Sequence, residues 1–392
     1  MRLLCAITAY PPSTGGAQAH LHGLITHMTR ARAEVVSFWD RNRSDWLMGT
    51  TLRAPAHARD YCVDGVPVHT LATSFRDRVA AIPPVVAYYG AMDWAASRLA
   101  MPLASQLVPK VATADVVHCV RVGREPLALA SAETARRADR PFVFTPLHHP
   151  RWGGRRHRVY IGLYRRADHL IALTPAEKQT LVELGARPER VSITGTGPVV
   201  ADTAEPEAFR DRFDIEGPMV LFLGQHFRYK GFQALLDAAP AVWRRAPETT
   251  FVFAGPAVGR SEDAFRGVDT RVRRLGAVDL QTKTDALAAC DVLCVPSTQE
   301  SFGGVFTEAW TFGHPAVGGD TPAVREVIDD GIDGFVVDQC PDRVADRLAW
   351  LIEHPAEARR MGEAGRRKVI ERFSWSALAR ATESIYRSLL DG

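Results

Sequence analysis

The sequence predicts an α/β protein of two doubly wound domains, each a parallel sheet covered by helices on both faces. Short β-branched apolar runs alternate with amphipathic stretches along the whole 392 residues, which is the signature of strand–helix–strand units. The alternation runs twice, pausing at GTGPVVADTAEPEAFRDRFDIEGP (195–218), a stretch rich in glycine, proline and acid. Apolar residues make up 46% of the chain, enough to fill a core.

In order, the first half offers strands LLCAIT (3–8), EVVSF (34–38), VPVHTL (66–71), DVVHC (115–119), PFVFT (141–145), HLIAL (169–173) and VSIT (191–194). An amphipathic helix follows the first of these, over 16–30. The second half offers MVLFL (219–223), TFVFA (250–254), VRRLG (272–276), DVLCV (291–295), PAV (315–317) and GFVV (334–337), with a helix over 231–245. The boundary falls near 200, dividing an N-terminal domain (1–200) from a C-terminal one (201–374). Ligands of such sheets bind beyond the carboxyl ends of the strands, so a cleft between the two domains is the expected site. The last segment, FSWSALARATESIYRSLL, is amphipathic with no strand after it, and a helix over 375–392 is expected to cross back to the first domain.

Several function classes are disfavoured. A net charge of +3 is too small to argue for nucleic acid. The six cysteines are scattered without a CxxC, and no carboxylate or histidine cluster has ligand spacing, so no metal is expected. The apolar segment 3–7 is too short for a signal peptide, and the longest apolar helix candidate, around 83–101, is interrupted by Asp93 and Arg98. A soluble, cytoplasmic protein is the expectation. RWGGRRHRVYIGLYRR (151–166) reads either as a solvated basic face or, with Trp152, Tyr160 and Tyr164 interleaved, as a peripheral contact with anionic headgroups at the inner membrane face or with an anionic acceptor.

The chemistry gathers at PSTQESFGGVFTEAW (296–310). A strand ends at Pro296 and a helix opens near Gly304, so the amides of Gly303, Gly304 and Val305 form a helix N-terminus suited to an anion. The glycines let a phosphate come close to the backbone. Glu308, a turn further on, suits a sugar diol, and Glu300 in the loop would face whatever lies beyond the diphosphate. The constellation describes a nucleoside diphosphate-sugar; the plain alternative is an acidic turn with a surface glutamate. Gly15 and Gly16, after PPST, repeat the loop-to-helix device after the first strand, or make an ordinary tight turn. No GxGxxG fingerprint follows that strand.

ESFGGVFTEAW resembles the E-x7-E signature of the retaining GT-B glycosyltransferases of family four (glycosyl transferases group 1). The likeness extends through PPSTGGAQAHLHGL, DVVH, TPLHHP, YRRADHLIALTPAEKQTLVELG, FLGQHFRYKG, FGHPAVGGDTPAVREVIDDGIDGFVV and FSW, nearly the whole chain. It implies two Rossmann-like domains facing across a cleft, acceptor side first and donor side second. The implied reaction moves a sugar from a nucleotide donor to an acceptor hydroxyl, retaining configuration and using no metal or other cofactor.

The resemblance also implies roles. Glu308 would hold the ribose, Glu300 the transferred sugar, and the amides of 303–305 the diphosphate; Gly15 and Gly16 would approach donor phosphate and acceptor. The family places an arginine directly after the glycine of FLG and a lysine five residues on. Lys230 matches the lysine, but Gln225 stands at the arginine position, with Arg228 as the substitute cation. A histidine after strand 141–145 is expected near the reacting sugar, with His149 preferred to His148, while His118 and His20 are further acceptor- or sugar-side candidates. Rival readings are a nucleotide-sugar epimerase of the same fold, a phosphorylase carrying a lysine-bound pyridoxal phosphate, and a non-catalytic nucleotide-sugar-binding partner of another transferase. The donor's base and sugar, the acceptor and the oligomeric state stay open.

Overall fold

The computed structural model describes residues 1–13, 15–39, 54–121, 126–148 and 154–391. Two compact units emerge, one of Met1–Gly195 with Trp375–Gly392 and one of Thr196–Ser374.

In the first unit the elements run β1 (Arg2–Ala9), α1 (Gly16–Thr26), β2 (Arg32–Trp39), β3 (Arg59–Val63), β4 (Val66–Thr70), α2 (Phe75–Ala87), α3 (Met92–Val111), β5 (Val116–Val120), α4 (Leu127–Arg137), β6 (Phe142–Thr145), α5 (Arg158–Ile161), α6 (Leu163–Arg166), β7 (His169–Ala172), α7 (Pro175–Glu183) and β8 (Val191–Ile193). The sheet order is β3-β4-β2-β1-β5-β6-β7-β8. Every pairing is parallel except the β3–β4 hairpin at the edge. Strand 59–63 escaped the sequence reading, although its turn carries the signal: Asp64 and Gly65 both take positive φ (48° and 80°), as an Asp-Gly hairpin turn requires. Strand order reverses between β1 and β5, the switch point at which ligands bind in such sheets.

The apolar stretch expected to be one helix around 83–101 is two helices, broken at 88–91. The first starts at a capping box in which Ser74 and Asp77 satisfy each other's backbone amides. The basic stretch after 150 is likewise broken: a 3-10 turn (Arg155–His157) leads into α5 and α6, which meet at Gly162. Tyr160 and Tyr164 point into the core (0% and 1% exposed), which corrects the expectation that they reach a headgroup. Arg151 and Trp152 lie outside the described residues.

The second unit runs α8 (Pro206–Arg212), β9 (Met219–Leu223), α9 (Phe232–Trp243), β10 (Thr250–Ala254), β11 (Val272–Gly276), α10 (Leu280–Ala289), β12 (Val292–Val295), α11 (Gly304–Thr311), β13 (Ala316–Gly319), α12 (Pro322–Val327), β14 (Gly334–Val337), α13 (Pro341–Glu353) and α14 (Pro355–Lys368). Its sheet, β11-β10-β9-β12-β13-β14, is wholly parallel. β9, β10 and β12 are buried along their whole length, which is why they read as unbroken apolar runs instead of alternating ones. Strand order reverses between β9 and β12, so the loops leaving these two strands flank the switch point of this sheet.

The C-terminal helix α15 (Trp375–Asp391) belongs to the first unit. Gly23 on α1 makes room for the Trp375 ring, since a Cβ there would stand 2.5 Å from it. Glu383 accepts the Arg30 amide at 2.6 Å, and Tyr386 is wholly buried.

Candidate active site

The site of the second unit is assembled by glycines that bring two loops into backbone contact. After β9 the chain passes Gln225 and Arg228, both exposed, through a short 3-10 turn (Arg228–Lys230), and enters α9 at Gly231 in the left-handed conformation (φ 85°). A Cβ on Gly231 would lie 2.5 Å from the Pro296 carbonyl, so only glycine lets this loop sit against the end of β12. The Thr298 amide donates to the Tyr229 carbonyl at 2.7 Å. Gln339 then donates to the carbonyls of both Tyr229 (3.2 Å) and Pro296 (2.8 Å), stapling the loops together.

The result is an ion pair between residues far apart in sequence: Lys230 Nζ stands 2.5 Å from Glu300 Oε1. The Glu300 side chain is 9% exposed and that of Lys230 24%. Next comes α11, capped by Gly303 in the left-handed region (φ 87°) with no side-chain cap. A Cβ on Gly303 would strike the Phe306 ring at 2.4 Å, whereas one on Gly304 would find nothing nearer than Thr196 Cγ2 at 3.8 Å. By helix geometry, the first amides of α11, those of Gly304 and Val305, lack intrahelical partners and carry the positive end of the dipole.

Glu308 is buried on the second turn of α11. Lys283, from α10, donates to its Oε1 at 2.9 Å, while Oε2 has no hydrogen-bond partner among the described residues. Burial raises the Glu308 pKa; the charge and hydrogen bond of Lys283, and the nearby Val199 amide, pull it back down. A buried carboxylate with one oxygen held and the other open suits an incoming hydroxyl pair. Lys283 was not singled out in the sequence. The helix itself is pinned from behind: Trp310 Nε1 donates to the Asp333 carbonyl at 2.9 Å, and the buried Lys368 joins Asp333, Asp329 (2.8 Å) and the Val327 carbonyl (2.9 Å).

His226, beside Gln225, is buried among Phe222, Phe232, Phe253 and Phe265, and desolvation lowers its pKa to about 4. It stacks on Phe232 and is neutral at ordinary pH. Its role is to pack the root of the Lys230 loop.

In the first unit Gly15 caps α1, accepting the Ala19 amide at 3.0 Å, and Gly16 is exposed with open space where a Cβ would be. The loop is braced at its root by a hydrogen-bonded chain from Tyr10 OH to His22 Nδ1 (2.7 Å) and from His22 Nε2 to Asp64 (2.9 Å). The histidine candidates fare differently. His118 is no ligand-facing residue: it is wholly buried in β5, with Nδ1 on Tyr386 OH (2.6 Å) and Nε2 on Thr145 Oγ1 (2.8 Å), and both ring nitrogens are therefore spent. The parallel sheet turned inward a side chain that the sequence placed at an open strand end. His20 is buried edge-on against Trp375, with its pKa lowered by desolvation to about 4. His148 is buried as well, its Nδ1 2.9 Å from Tyr164 OH and its amide on Glu177 Oε1 at 2.6 Å. His149 lies outside the described residues. Glu177, buried, also accepts the Leu173 amide at 2.7 Å; desolvation raises its pKa to about 7. Among the described residues no cluster of three metal-binding side chains occurs.

The fold and this arrangement define a protein of the GT-B class. The family model described as "Glycosyl transferase 4-like domain" matches residues 15–197, and that described as "Glycosyl transferases group 1" matches 205–368. The chain belongs to the family-four GT-B glycosyltransferases. It is 34% identical over 202 residues to a phosphatidyl-myo-inositol mannosyltransferase of Mycobacterium tuberculosis, covering 49% of this chain and 52% of that one. It is 31% identical over 241 residues to a D-inositol 3-phosphate glycosyltransferase of Xylanimonas cellulosilytica, covering 56% and 57%. The matched part spans about half the length of these curated relatives. Among solved structures, Anabaena HepE in complex with UDP shares the fold with a TM-score of 0.76 at 20% identity, over 99% of this chain and all of that one. A sucrose-phosphate synthase from Thermosynechococcus elongatus does so with a TM-score of 0.74 at 16% identity, each chain covered in full.

Proposed function

We propose that the chain transfers a glycosyl group from a nucleoside diphosphate-sugar to an acceptor hydroxyl, retaining anomeric configuration and needing no metal or other cofactor. The observation that carries this reading is the convergence, at the switch point of the second sheet, of Lys230, Glu300, the α11 N-terminus and Glu308 with an open oxygen. Glu308 takes the ribose diol, and the amides of Gly303, Gly304 and Val305 take the diphosphate. Lys230 pairs with Glu300; on donor binding it turns to the diphosphate and stabilises the charge that grows on the leaving group. Glu300, released, accepts hydroxyls of the transferred sugar. Arg228, exposed on the same loop, supplies the second cation in place of Gln225. The resemblance assigns Gly15 and Gly16 to the donor phosphate and acceptor, and His149 to the reacting sugar.

A thermal-shift panel of nucleoside diphosphates and their sugars tests the donor half, because a ligand held only by the native state raises the melting temperature. Product anomers followed by NMR, with and without chelator, test retention and metal independence. No shift with any nucleotide would overturn the reading. Gln225, uncharged where the family carries arginine, favours one alternative, a nucleotide-sugar-binding partner without turnover; it predicts a thermal shift but no product with any acceptor.

A further inference from the structure

The helix pair α2–α3 carries apolar side chains on its outside. On α2 and just past its end, Phe75, Val79, Ile82, Val86 and Tyr89 recur at alternating intervals of four and three, so they form one stripe along the helix. All five are exposed, Phe75 at 81% and Val86 at 77%. The stripe is separate from the core-facing side, which buries Ala81, Pro84 and Val85. On α3, Trp94, Met101 and Val108 repeat every seven residues and are each about half exposed. Between the helices lies an apolar groove of about 330 Å³, with Trp94, Met101, Pro83 and Arg98 among its lining. Isolated exposed apolar residues are ordinary, but two exposed helical stripes, the α3 one bordering an apolar groove, mark a surface made to be covered.

Charge decides what covers it. Arg76 and Arg98 are exposed on these helices, and the only acids in 74–111 are Asp77 and Asp93. Asp77 is spent in the Ser74 cap and Asp93 is paired with Arg158 at 2.9 Å. The 3-10 turn adds the exposed Arg155 and Arg156, the latter 6.0 Å over the Tyr89 ring. Cations around an apolar stripe, with Phe75, Tyr89 and Trp94 along it, would repel a second copy of the same face. They match a bilayer surface, which offers apolar depth below anionic headgroups.

We propose that the α2–α3 face is a peripheral membrane-binding surface that seats the first unit on an anionic bilayer. The contact expected for the basic stretch after residue 150 is thereby relocated: Arg155 and Arg156 supply charge, while the inserting side chains belong to α2 and α3. The inference is independent of which sugar or acceptor the protein uses.

The test is co-sedimentation of the full chain with vesicles of phosphatidylcholine alone and of phosphatidylcholine with phosphatidylglycerol. Binding is expected to the anionic vesicles and to weaken with salt. The double variant Phe75→Ser/Val86→Ser should bind at least about tenfold more weakly, from the apolar area it withdraws. Arg98→Gln and Arg156→Gln should each cost roughly fivefold on anionic vesicles only. All four positions are exposed, so the melting temperature should not move, which separates lost binding from lost fold. Binding to neither vesicle, or binding untouched by the double variant, overturns the proposal. So does a concentration-dependent dimer that Val86→Glu abolishes, which would assign the face to a second copy.

Discussion

Glu300→Gln separates two roles that a single ion pair joins. Glu300 holds Lys230 at 2.5 Å, with 9% and 24% of the respective side chains exposed. A diphosphate that recruits Lys230 must first break that pair. The pair is neither fully exposed nor sealed, so its release is worth about 1 kcal/mol, the top of the range for exposed pairs. Glutamine keeps the shape and removes the charge. Nucleoside diphosphate affinity in Glu300→Gln is therefore expected to be unchanged or up to roughly fivefold tighter, by the ratio of 1.4 kcal/mol per decade. Turnover of the nucleotide-sugar should move the other way. Losing charge-assisted hydrogen bonds to the sugar, at about 1.5–3 kcal/mol, lowers kcat/KM roughly ten- to two-hundredfold. Calorimetry with the nucleoside diphosphate and steady-state kinetics with its sugar read the two effects apart. If Glu300→Gln loses nucleoside diphosphate affinity as severely as Lys230→Ala, Glu300 is a diphosphate-side residue and the division of roles is wrong.

Further outcomes follow from the same geometry. Glu308→Ala should weaken nucleotide binding by about 1.5–3 kcal/mol with the fold intact; in Lys283→Met, Glu308 loses the cation that opposes its raised pKa, so nucleotide affinity should rise with pH more steeply in the variant than in the wild type, as calorimetry across pH would read. If Arg228 has taken over the charge missing at Gln225, Arg228→Ala should cost nearly as much kcat/KM as Lys230→Ala, and Gln225→Arg should partly rescue it; a silent Arg228→Ala with a faster Gln225→Arg would show that the charge was simply lost. Glu177, raised to about 7 by burial, binds its proton more tightly folded than unfolded, so its contribution to stability is full below the ordinary carboxyl range and is lost as pH rises through about 7. Urea melts should show this fall, about 3 kcal/mol at most by linkage, flattened in Glu177→Gln; an unchanged pH profile would refute it.

Much was legible in the chain alone, because it depends on neighbours in sequence. Strands such as 219–223 and 250–254 are buried on both faces, so each announces itself as an unbroken apolar run. The Gly303–Gly304 loop marks its own helix start, since a left-handed cap and an uncapped first turn are local properties of that backbone. The break at 88–91 and the hairpin strand 59–63 were harder, as helix pattern continues across the first and the second lies on a weakly patterned edge. Tertiary structure alone decided the rest. Strand order placed the loops after β9 and β12 side by side, so that residues 230 and 300 meet; no local pattern encodes which strands become neighbours. The same long-range packing set Lys283 on Glu308 and spent both nitrogens of His118 on Tyr386 and Thr145. Sequence periodicity shows which face of an element is buried, whereas a side chain's partner is chosen by elements that meet it from elsewhere in the chain, and that choice is made only on folding.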